Sequence, residues 1–458
     1  MLLDQDGKLK FINHACYYIE SNKTILISDP WLEGLAFNNG WELLDKSSSN
    51  KNTIKELIKS GKKIYIWYSH EHSDHFSISF LIESFKAIKN LTVIFQSTLD
   101  KRVINYLNSK KIPFIEADDG NEIVLDSQLS IYIWSHKNGD SYSLITFKKF
   151  RILNLNDCIV NTKREAINIS TKISKITKNI DFLFTQFGYA NWLGNLEHKE
   201  IRSKAAQEKI IRILLQNNYL IPKIIIPFAS FISFCSEENF YLNEQQNTPK
   251  IVKNSFLLKT IINKIIFLKP DDFINLNNDL DDLKTLELLS QNAICHWEKL
   301  FTSAKPLSLN INLIECDVLK KESKKFLKKV NKNFLFLPAC LEFFKIIRPV
   351  YIFLNDLNEI ICFSYIGNIK TLKEESWDIK INSEVLYHSL KYEYGFNTLK
   401  VNGKFKAKTM HSYKNFVYFF YFQDLLKENI TFKNPIYLLK KIMQVSIIFI
   451  KNIVSFRI

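Results

Sequence analysis

The sequence predicts an α+β fold in two parts, and three patterns support this prediction. From residue 8 to 160, short apolar runs of strand length alternate with turns and with one or two helical stretches, and further helices and strands follow. A polar stretch then breaks the pattern, as a linker does. Beyond it, long helical repeats come first and strands follow. We therefore predict a first domain at 1–268, a linker at 269–282, an α+β accessory domain at 283–434 and an apolar, basic C-terminal helix at 435–458.

The elements of the first domain follow from the spacing of their apolar residues. Alternating or continuous apolar runs between turn residues predict strands, and a period near 3.6 predicts helices. The predicted strands are 63–68, 91–96, 112–115, 122–134 (two strands), 142–147, 151–155, 181–184 and 223–227. The predicted helices are 52–60, 76–88, 161–176 and 200–217.

The accessory domain is predicted in the same way. A helix at 283–301 precedes a second, lysine-rich helix, and strands are predicted at 350–354, 360–365 and 377–381. A helix at 383–392 then leads into the segment 395–403, which ends in Asn402-Gly403. This order of strands, helix and Asn-Gly resembles a sterol-carrier-type α+β module.

The positive charge of the chain favours negatively charged partners. The formal net charge is +15, which suits an anionic substrate, an anionic membrane surface or nucleic acid. Seven lysines recur at helical spacing with apolar residues between them: Lys320, Lys321, Lys324, Lys325, Lys328, Lys329 and Lys332. They predict a basic amphipathic helix, either a solvated face packed on its own domain or a contact for anionic lipid or a glycan intermediate. No aromatic-basic pattern of a nucleic-acid module is present, so nucleic acid is not an expected partner.

The cysteine pattern and the first residues of the chain bear on the cellular compartment of the protein. Seven scattered cysteines without a Cys-x-x-Cys pair favour a reducing compartment. Residues 1–7 show no signal-peptide pattern, and no run approaches the roughly 18 apolar residues of a membrane span. We expect a cytoplasmic protein, with peripheral contact at the inner membrane face as an alternative.

A histidine-rich segment is the most informative motif. His70, His72, Asp74 and His75 lie within six positions, directly after the apolar run 63–68. A spacing of two places His70 and His72 on the same side of an extended segment, and Asp74 and His75 can face a second point. Imidazole and carboxylate groups suit zinc, iron or manganese, so the motif predicts one or two divalent metal ions at a strand end.

The motif resembles the His-x-His-x-Asp-His signature of the metallo-β-lactamase superfamily. The resemblance implies a four-layer αββα sandwich for residues 8–260. Within it, residues 11–20 resemble the family's first strand pair, and 24–32 resemble the strand that ends in its first conserved acid, here Asp29. His14-Ala15 is similar to the opening of the ascorbate-6-phosphate lactonase branch. The stretch 29–37, Asp-Pro-Trp-Leu-Glu-Gly-Leu-Ala-Phe, followed by Gly40-Trp41, resembles the catalytic domain of CMP-N-acetylneuraminate hydroxylase and its bacterial relatives.

The resemblance also implies roles for further residues. His136, at a strand end, would complete the first metal site with His70 and His72. Asp157 would bridge both metals, and Asp29 would orient a ligand. Asp74 is also the candidate to orient a water molecule or shuttle a proton. The role of His14 stays open between a structural, a substrate-facing and a ligating histidine.

The chain departs from the family pattern at the fifth motif. Ser236 stands where relatives of the hydroxylase carry a histidine, and serine is a poor ligand for divalent metals. The second site would then be weaker, empty or completed by Glu237 or Cys235. The segment 185–192 also resembles that group, and there we predict Gln186, Tyr189 and Trp192, together with His14, at the substrate rim. A packed loop is the alternative for that segment.

Three functions stay open on these grounds. The first is a metal-dependent hydrolase that uses metal-activated water, with zinc favoured and iron as the alternative, on a polar or anionic small molecule such as a sugar-linked one. The second is an iron-dependent oxygenase related to the hydroxylase. Because the paired Cys-His elements of a Rieske domain are absent from the sequence, it would need an external electron donor. The third is a non-catalytic accessory protein with a degenerate site, which Ser236 suggests.

Overall fold

The computed structural model describes residues 7–277, 283–310, 312–367, 370–372 and 376–441. The chain divides into two compact units, Met1–Leu307 and Ser308–Ile458. Each unit has its own sheets and its own core.

The first unit contains a seven-stranded mixed sheet. In spatial order its strands are β15 (Phe273–Asn275), β1 (Lys8–Asn13), β2 (Cys16–Glu20), β3 (Thr24–Ser28), β5 (Lys63–Tyr68), β6 (Leu91–Gln96) and β7 (Phe114–Ala117). Strands β3, β5, β6 and β7 run parallel to one another. Their carboxyl ends therefore meet at one edge of the sheet, which is where loops of open α/β sheets gather functional side chains.

A second sheet of six strands faces the first. Its spatial order is β13 (Pro222–Phe228), β12 (Ile180–Gln186), β11 (Phe150–Asn154), β10 (Ser141–Phe147), β9 (Leu129–Ser135) and β8 (Glu122–Val124). A separate antiparallel pair joins β4 (Trp41–Leu43) to β14 (Ile232–Phe234). This pair ties the segment that follows β3 to the segment that follows β13.

Helices cover the outer face of each sheet. The helices are α1 (Asn50–Lys59), α2 (Ile78–Ala87), α3 (Arg102–Ser109), α4 (Lys163–Ser174), α5 (Lys199–Leu220), α6 (Pro249–Lys253) and α7 (Leu283–Ser303). Short 3-10 turns lie at Lys137–Gly139, Phe240–Asn243 and Phe256–Lys264.

The burial pattern shows four layers. Side chains of the inner faces, such as Trp67 and Leu144, belong to one buried cluster, which continues to Ile169 of α4 beside the second sheet. The alternate residues of the first sheet, such as Ile66, pack with Leu81 of α2 in a second cluster. Because neighbouring strand residues point to opposite faces, one sheet can supply both clusters. The predicted αββα sandwich is confirmed.

The division between the units differs from the predicted one. Within the predicted linker, β15 pairs with β1, and Leu9 lies opposite Ile274. The ring of Trp297, in α7, stacks on that of Phe231 with centroids 3.9 Å apart. The apolar face of α7 thus completes the core of the first unit, which extends to Leu307. Residues 278–282 of the predicted linker lie outside the described residues.

The second unit is an α+β structure, as the sequence predicts. Its sheet has the order β18 (Lys370–Leu372), β17 (Glu359–Phe363), β16 (Val350–Leu354), β19 (Ile379–Ile381) and β20 (Lys406–Ala407). Its helices are α8 (Cys316–Asn333), α9 (Leu337–Phe343), α10 (Ser383–Lys391), α11 (Gly395–Asn402) and α12 (Met410–Lys427). The predicted likeness to a sterol-carrier module stays a prediction.

Helix α8 carries the predicted lysine face. Its apolar residues Leu319, Phe326 and Val330 are buried, and Phe326 stacks on Phe420 with ring centroids 5.3 Å apart. The helix therefore uses its apolar side for packing within its own unit and presents its lysines outward. Contact of this face with anionic lipid stays a prediction.

The C-terminal segment is described only in part. Residues 435–441 are helical, and the rest of the predicted helix at 435–458 lies outside the described residues. No helix among the described residues has both the length and the apolar character needed to cross a membrane.

Candidate metal centre

The candidate centre lies at the carboxyl ends of β3 and β5. These strands pair in parallel with Ser28 opposite Trp67, so that Asp29 and Ser69 emerge side by side. After Ser69 the chain makes a tight turn, in which the amide of His75 donates to the carbonyl of His72 at 3.0 Å. Ser77 then caps the start of α2. The turn brings all four motif side chains to one point of the sheet edge.

His70, His72 and Asp157 form the first group of converging ligand atoms, in which all atoms lie within 4.8 Å of one another. Nε2 of His70 is 2.9 Å from Nδ1 of His72 and 3.8 Å from Oδ2 of Asp157. Ser69 Oγ lies 2.9 Å from Nδ1 of His70, which fixes that ring. His72 and Asp157 are partly exposed, so this group is open to a ligand.

His14, Asp74 and His75 form a second group, which is fully buried. Oδ2 of Asp74 lies 3.4 Å from Nε2 of His14 and 3.3 Å from Nε2 of His75. His14 comes from the turn between β1 and β2, where it adopts a φ of 43°. The third side chain of this group is thus His14 and not Glu237 or Cys235.

Asp157 links the two groups. Its Oδ1 lies 3.3 Å from Nε2 of His75 in the second group, while Oδ2 faces His70 in the first. This is the position that a bridging carboxylate requires.

The buried polar atoms fit a cation. His14 Nδ1 and Asp74 Oδ1 are buried and have no hydrogen-bond partner among the described residues, and His75 Nε2 lies 3.3 Å from a carboxylate oxygen of Asp74 and of Asp157. Unpartnered buried polar atoms are costly, and a cation would satisfy those that face inward between the ligands. Imidazole nitrogens and carboxylate oxygens form a donor set that zinc and iron accept.

Electrostatics in the centre depend on the histidine–carboxylate contacts. Burial lowers the pKa of His70 well below its usual range, and His75 and His72 lower it further. Burial opposes charge on Asp74 and on His75, but their attraction prevails. The pKa of Asp74 is therefore held well below its usual range and the pKa of His75 well above it. A cation at the second group would take the place of the His75 proton.

Asp29 orients the centre from behind. Its Oδ1 accepts from the amide of Ser69 at 2.8 Å, and its Oδ2 accepts from the Ser69 hydroxyl at 2.7 Å. Oδ2 also lies 3.1 Å from Nδ1 of His75 and accepts from Asn156 Nδ2. Binding one ring nitrogen of a histidine fixes the direction of the other. Asp29 therefore has the contacts that its predicted role requires.

Comparison with known proteins adds sequence relatives. No family model matches the chain. It is 25% identical over 278 residues to cytidine monophosphate-N-acetylneuraminic acid hydroxylase of Danio rerio, which covers 56% of this chain and 44% of that protein. The Xenopus laevis protein of that name is 23% identical over 291 residues, covering 60% and 47%. The human protein, named as inactive, is 24% identical over 260 residues, covering 54% and 50%. The chain spans about half the length of these relatives.

Solved structures of known proteins also resemble part of the chain. YhfI of Bacillus subtilis, a metallo-β-lactamase fold protein, gives a TM-score of 0.37 at 11% identity and covers 58% of this chain and 98% of that one. Zinc-bound PqqB of Methylobacterium extorquens gives a TM-score of 0.34 at 8% identity and covers 58% of this chain and 87% of that one. A variant of the β-hydroxylase CmlA gives a TM-score of 0.39 at 13% identity and covers 59% of this chain and 54% of that one.

The chain is similar to metallo-β-lactamase fold proteins. The sequence relatives confirm the predicted resemblance to CMP-N-acetylneuraminate hydroxylase, and the four layers of the first unit are those of the predicted metallo-β-lactamase sandwich.

The structure places His136 differently from the prediction. Its Nε2 lies 3.0 Å from the carbonyl oxygen of Ile159, and His136 belongs to neither group of ligand atoms in the described chain. The strand end that carries it leads into the 3-10 turn at Lys137–Gly139, and the ring follows that turn toward Ile159. The structure thus does not bring His136 to the first metal position of the metallo-β-lactamase motif.

The predicted substrate rim is only partly accessible. Gln186 lies at the centre, where its Nε2 donates to Oδ1 of Asp157 at 2.6 Å. Tyr189 is 3% exposed and Trp192 is 1% exposed, and the Tyr189 hydroxyl donates to the carbonyl of Leu242. These two aromatic residues therefore pack inside a loop, which was the alternative for this segment. His14 is buried within the second group.

The fifth-motif position does not join the centre. The Ser236 hydroxyl donates to Glu238 at 2.9 Å, and Glu237 is exposed. Among the described residues, Ser236, Glu237 and Cys235 are in neither group of ligand atoms.

Sequence reasoning missed the α5 side of the centre. Nζ of Lys209 donates to Oε1 of Gln186 at 2.8 Å, so that the helix reaches Asp157 through one amide. Asn156, which donates to Asp29, was missed as well. Lysine and arginine on a helix are common surface residues, and only their burial reveals that they face the centre.

Proposed function

We propose that the first unit is a metal-dependent hydrolase that acts on a polar or anionic small molecule. The observation that carries the proposal is the arrangement of two ligand groups around Asp157, one buried and one partly exposed. A centre with one closed side and one open side can hold a cation and still admit a substrate.

The residues of this chain would divide the work. A bound divalent cation would supply Lewis acidity and lower the pKa of a water molecule. His70, His72 and Asp157 would hold a cation on the open side, and His14, Asp74 and His75 one on the closed side. Oδ1 of Asp74 has no hydrogen-bond partner within the described chain and can accept a hydrogen bond that orients a water molecule.

A second candidate is a metal-dependent hydroxylase, and the names of the sequence relatives favour it. Hydroxylation with dioxygen needs electrons, for which this candidate requires an external donor. Cys295-His296 does not supply a cluster site in the described chain, because Nε2 of His296 lies 2.6 Å from Asp45 and Cys295 is an exposed free cysteine.

Elemental analysis of the full chain, purified without added metal, tests the proposal. Zinc at about one or two equivalents supports the hydrolase, whereas two irons favour the hydroxylase. A chain that neither contains nor takes up metal would refute both candidates and leave a non-catalytic accessory role. If the chain contains zinc, assays of ester, lactone and phosphodiester hydrolysis should show activity that a chelator removes and that added metal restores.

A further inference from the structure

One face of α5 carries buried hydrogen-bond donors beside the candidate centre. Lys209, Arg212 and Gln216 follow one another at intervals of three and four residues, which places them on the same side of the helix. Arg212 is 8% exposed and Gln216 is fully buried. Nε of Arg212 and Nε2 of Gln216 have no hydrogen-bond partner among the described residues.

The carboxylates near Arg212 are already engaged. Asp157, Glu165 and Glu208 act electrostatically on its guanidinium. Asp157 faces the histidines and accepts from Gln186. Both oxygens of Glu165 are used, one by Lys137 and the other by the amides at the start of α4.

Glu208 lies one helical turn before Arg212 and contributes to its electrostatics, but its side chain is exposed to solvent. No carboxylate of the described chain therefore pairs with Arg212 at ion-pair distance.

Lys209 adds a basic hydrogen-bond donor on the same face of the helix. It is half-buried and donates to Gln186, which in turn donates to Asp157. Burial lowers the pKa of Lys209 well below its usual range, and the charge of Arg212 lowers it further against the attraction of Asp157. Two basic side chains and an amide thus lie on one face of α5, and Nε of Arg212 and Nε2 of Gln216 find no acceptor among the described residues.

Such an arrangement is unfavourable without an acceptor. A buried guanidinium loses its hydration and regains stability only through a hydrogen-bonded anion. The planar fork of arginine matches the two oxygens of a carboxylate or phosphate, and lysine adds a mobile positive charge.

We propose that Lys209, Arg212 and Gln216 form a binding subsite for an oxyanion, a phosphate or carboxylate group of the substrate, next to the candidate metal centre. That this anion belongs to the substrate rests on the proposed function. The binding of the anion itself requires no metal, because all three donors come from α5.

The test uses the full chain, stripped of metal by a chelator and dialysed, with inorganic phosphate and acetate as probes. We expect the melting temperature of the wild type to rise saturably with the concentration of either phosphate or acetate. The probe that produces this rise shows whether the subsite binds a phosphate or a carboxylate group. Arg212→Met should remove the rise and weaken binding, measured by calorimetry, at least about tenfold. Lys209→Gln should weaken it in the same direction, and Arg164→Met, at an exposed position of α4, should leave it unchanged.

The melting temperature of Arg212→Met in the absence of phosphate and acetate gives a second readout. Because the Arg212 guanidinium has no ion-pair partner among the described residues, Arg212→Met should melt no lower than the wild type when neither probe is present. A clear loss of stability would show that Arg212 is a structural group and would overturn the proposal. So would the lack of any response to phosphate or acetate in the wild type, or an equal response in Arg212→Met. A chain without metal would refute the proposed function and leave the anion result standing.

Discussion

Two imidazoles of the centre, those of His70 and His75, are held by a contact at the nitrogen that faces away from the other ligands. Ser69 holds Nδ1 of His70, and Asp29 holds Nδ1 of His75. In both residues Nε2 is left to face Asp157. The rings are therefore set in place before any cation arrives, which lowers the cost of binding one.

At the scale of single residues, the first prediction concerns the motif histidines. His70→Ala and His72→Ala should each remove metal from the open group, because each deletes one of its three ligands. The chain should stay folded, since neither ring belongs to a hydrophobic cluster. Metal content and circular dichroism check this. Wild-type metal content in both variants would show that the group is not a metal site.

His14 and His136 give a matched pair of variants. His14→Ala should lower metal stoichiometry by about one equivalent, because it removes one of three ligands of the closed group. His136→Ala should keep the wild-type stoichiometry, since its ring is directed to Ile159. Calorimetric titration of both variants with zinc decides between them. The reverse pattern would restore the original assignment of His136.

Asp29 is predicted to act on metal affinity through His75. The Asp29 carboxylate accepts from the amide and hydroxyl of Ser69 and from Asn156. Asp29→Asn replaces one of its accepting oxygens by an NH₂ group, which cannot accept these hydrogen bonds. It should weaken metal binding by about 10- to 100-fold and lower the melting temperature. Ser69→Ala deletes only one of those donors and should have the smaller effect. Equal affinity in Asp29→Asn and the wild type would contradict the orienting role.

At the scale of elements, α7 closes the core of the first unit. Trp297 is fully buried, stacks on Phe231, and donates through its indole to the carbonyl of Leu268 at 2.8 Å. Phe231 lies between β13 and β14, so α7 also supports the strand pair next to the candidate centre. The helix belongs to the sandwich of the first unit, which extends to Leu307.

This arrangement predicts the effect of removing the α7 contact. Trp297→Ala should destabilise the first unit by about 3–5 kcal/mol, the usual result of truncating a buried tryptophan. Chemical denaturation of the full chain measures it. A matched substitution at Trp377, in the second unit, should leave the first unit's transition in place. A loss below about 1 kcal/mol would mean that α7 is not a core element.

At the scale of the whole molecule, the two units carry different candidate functional features. The first contains the candidate centre and the α5 donors. The second has a packed core, in which α8 and α12 meet through Phe326 and Phe420, and an outer face rich in lysine. How this lysine face contributes to function stays a prediction.

The stability of the second unit should depend on pH through His388. Burial, with help from Lys404, lowers the pKa of His388 to about 4, whereas an unfolded histidine titrates near about 6.5. The unfolded chain therefore binds the proton first, so stability is lost as the pH falls from about 6.5 to about 4. The loss should reach up to about 2 kcal/mol after allowing for solvent screening. His388→Gln should flatten this part of the stability profile, measured by calorimetry at pH 7 and 4.5. A profile identical to the wild type would exclude His388.

Local patterns were enough to predict the elements and the contiguous part of the site. The strand at 91–96 and the strand at 350–354 lie where their apolar runs place them, because hydrophobic periodicity is set by neighbouring residues. The same is true of His70, His72, Asp74 and His75. Their spacing within one strand end brings them together whatever the rest of the chain does.

Only the tertiary structure decided what depends on distant segments. His14 reaches Asp74 across 60 residues, whereas His136 follows a local turn away from the centre, and neither outcome is encoded in spacing. Tyr189 and Trp192 have the residue types of a binding rim but are buried, because the loop folds onto Leu242. The burial of Arg212 is likewise invisible in the sequence. Which side chains lose their water is decided by how the layers pack, and that loss makes α5 a candidate site.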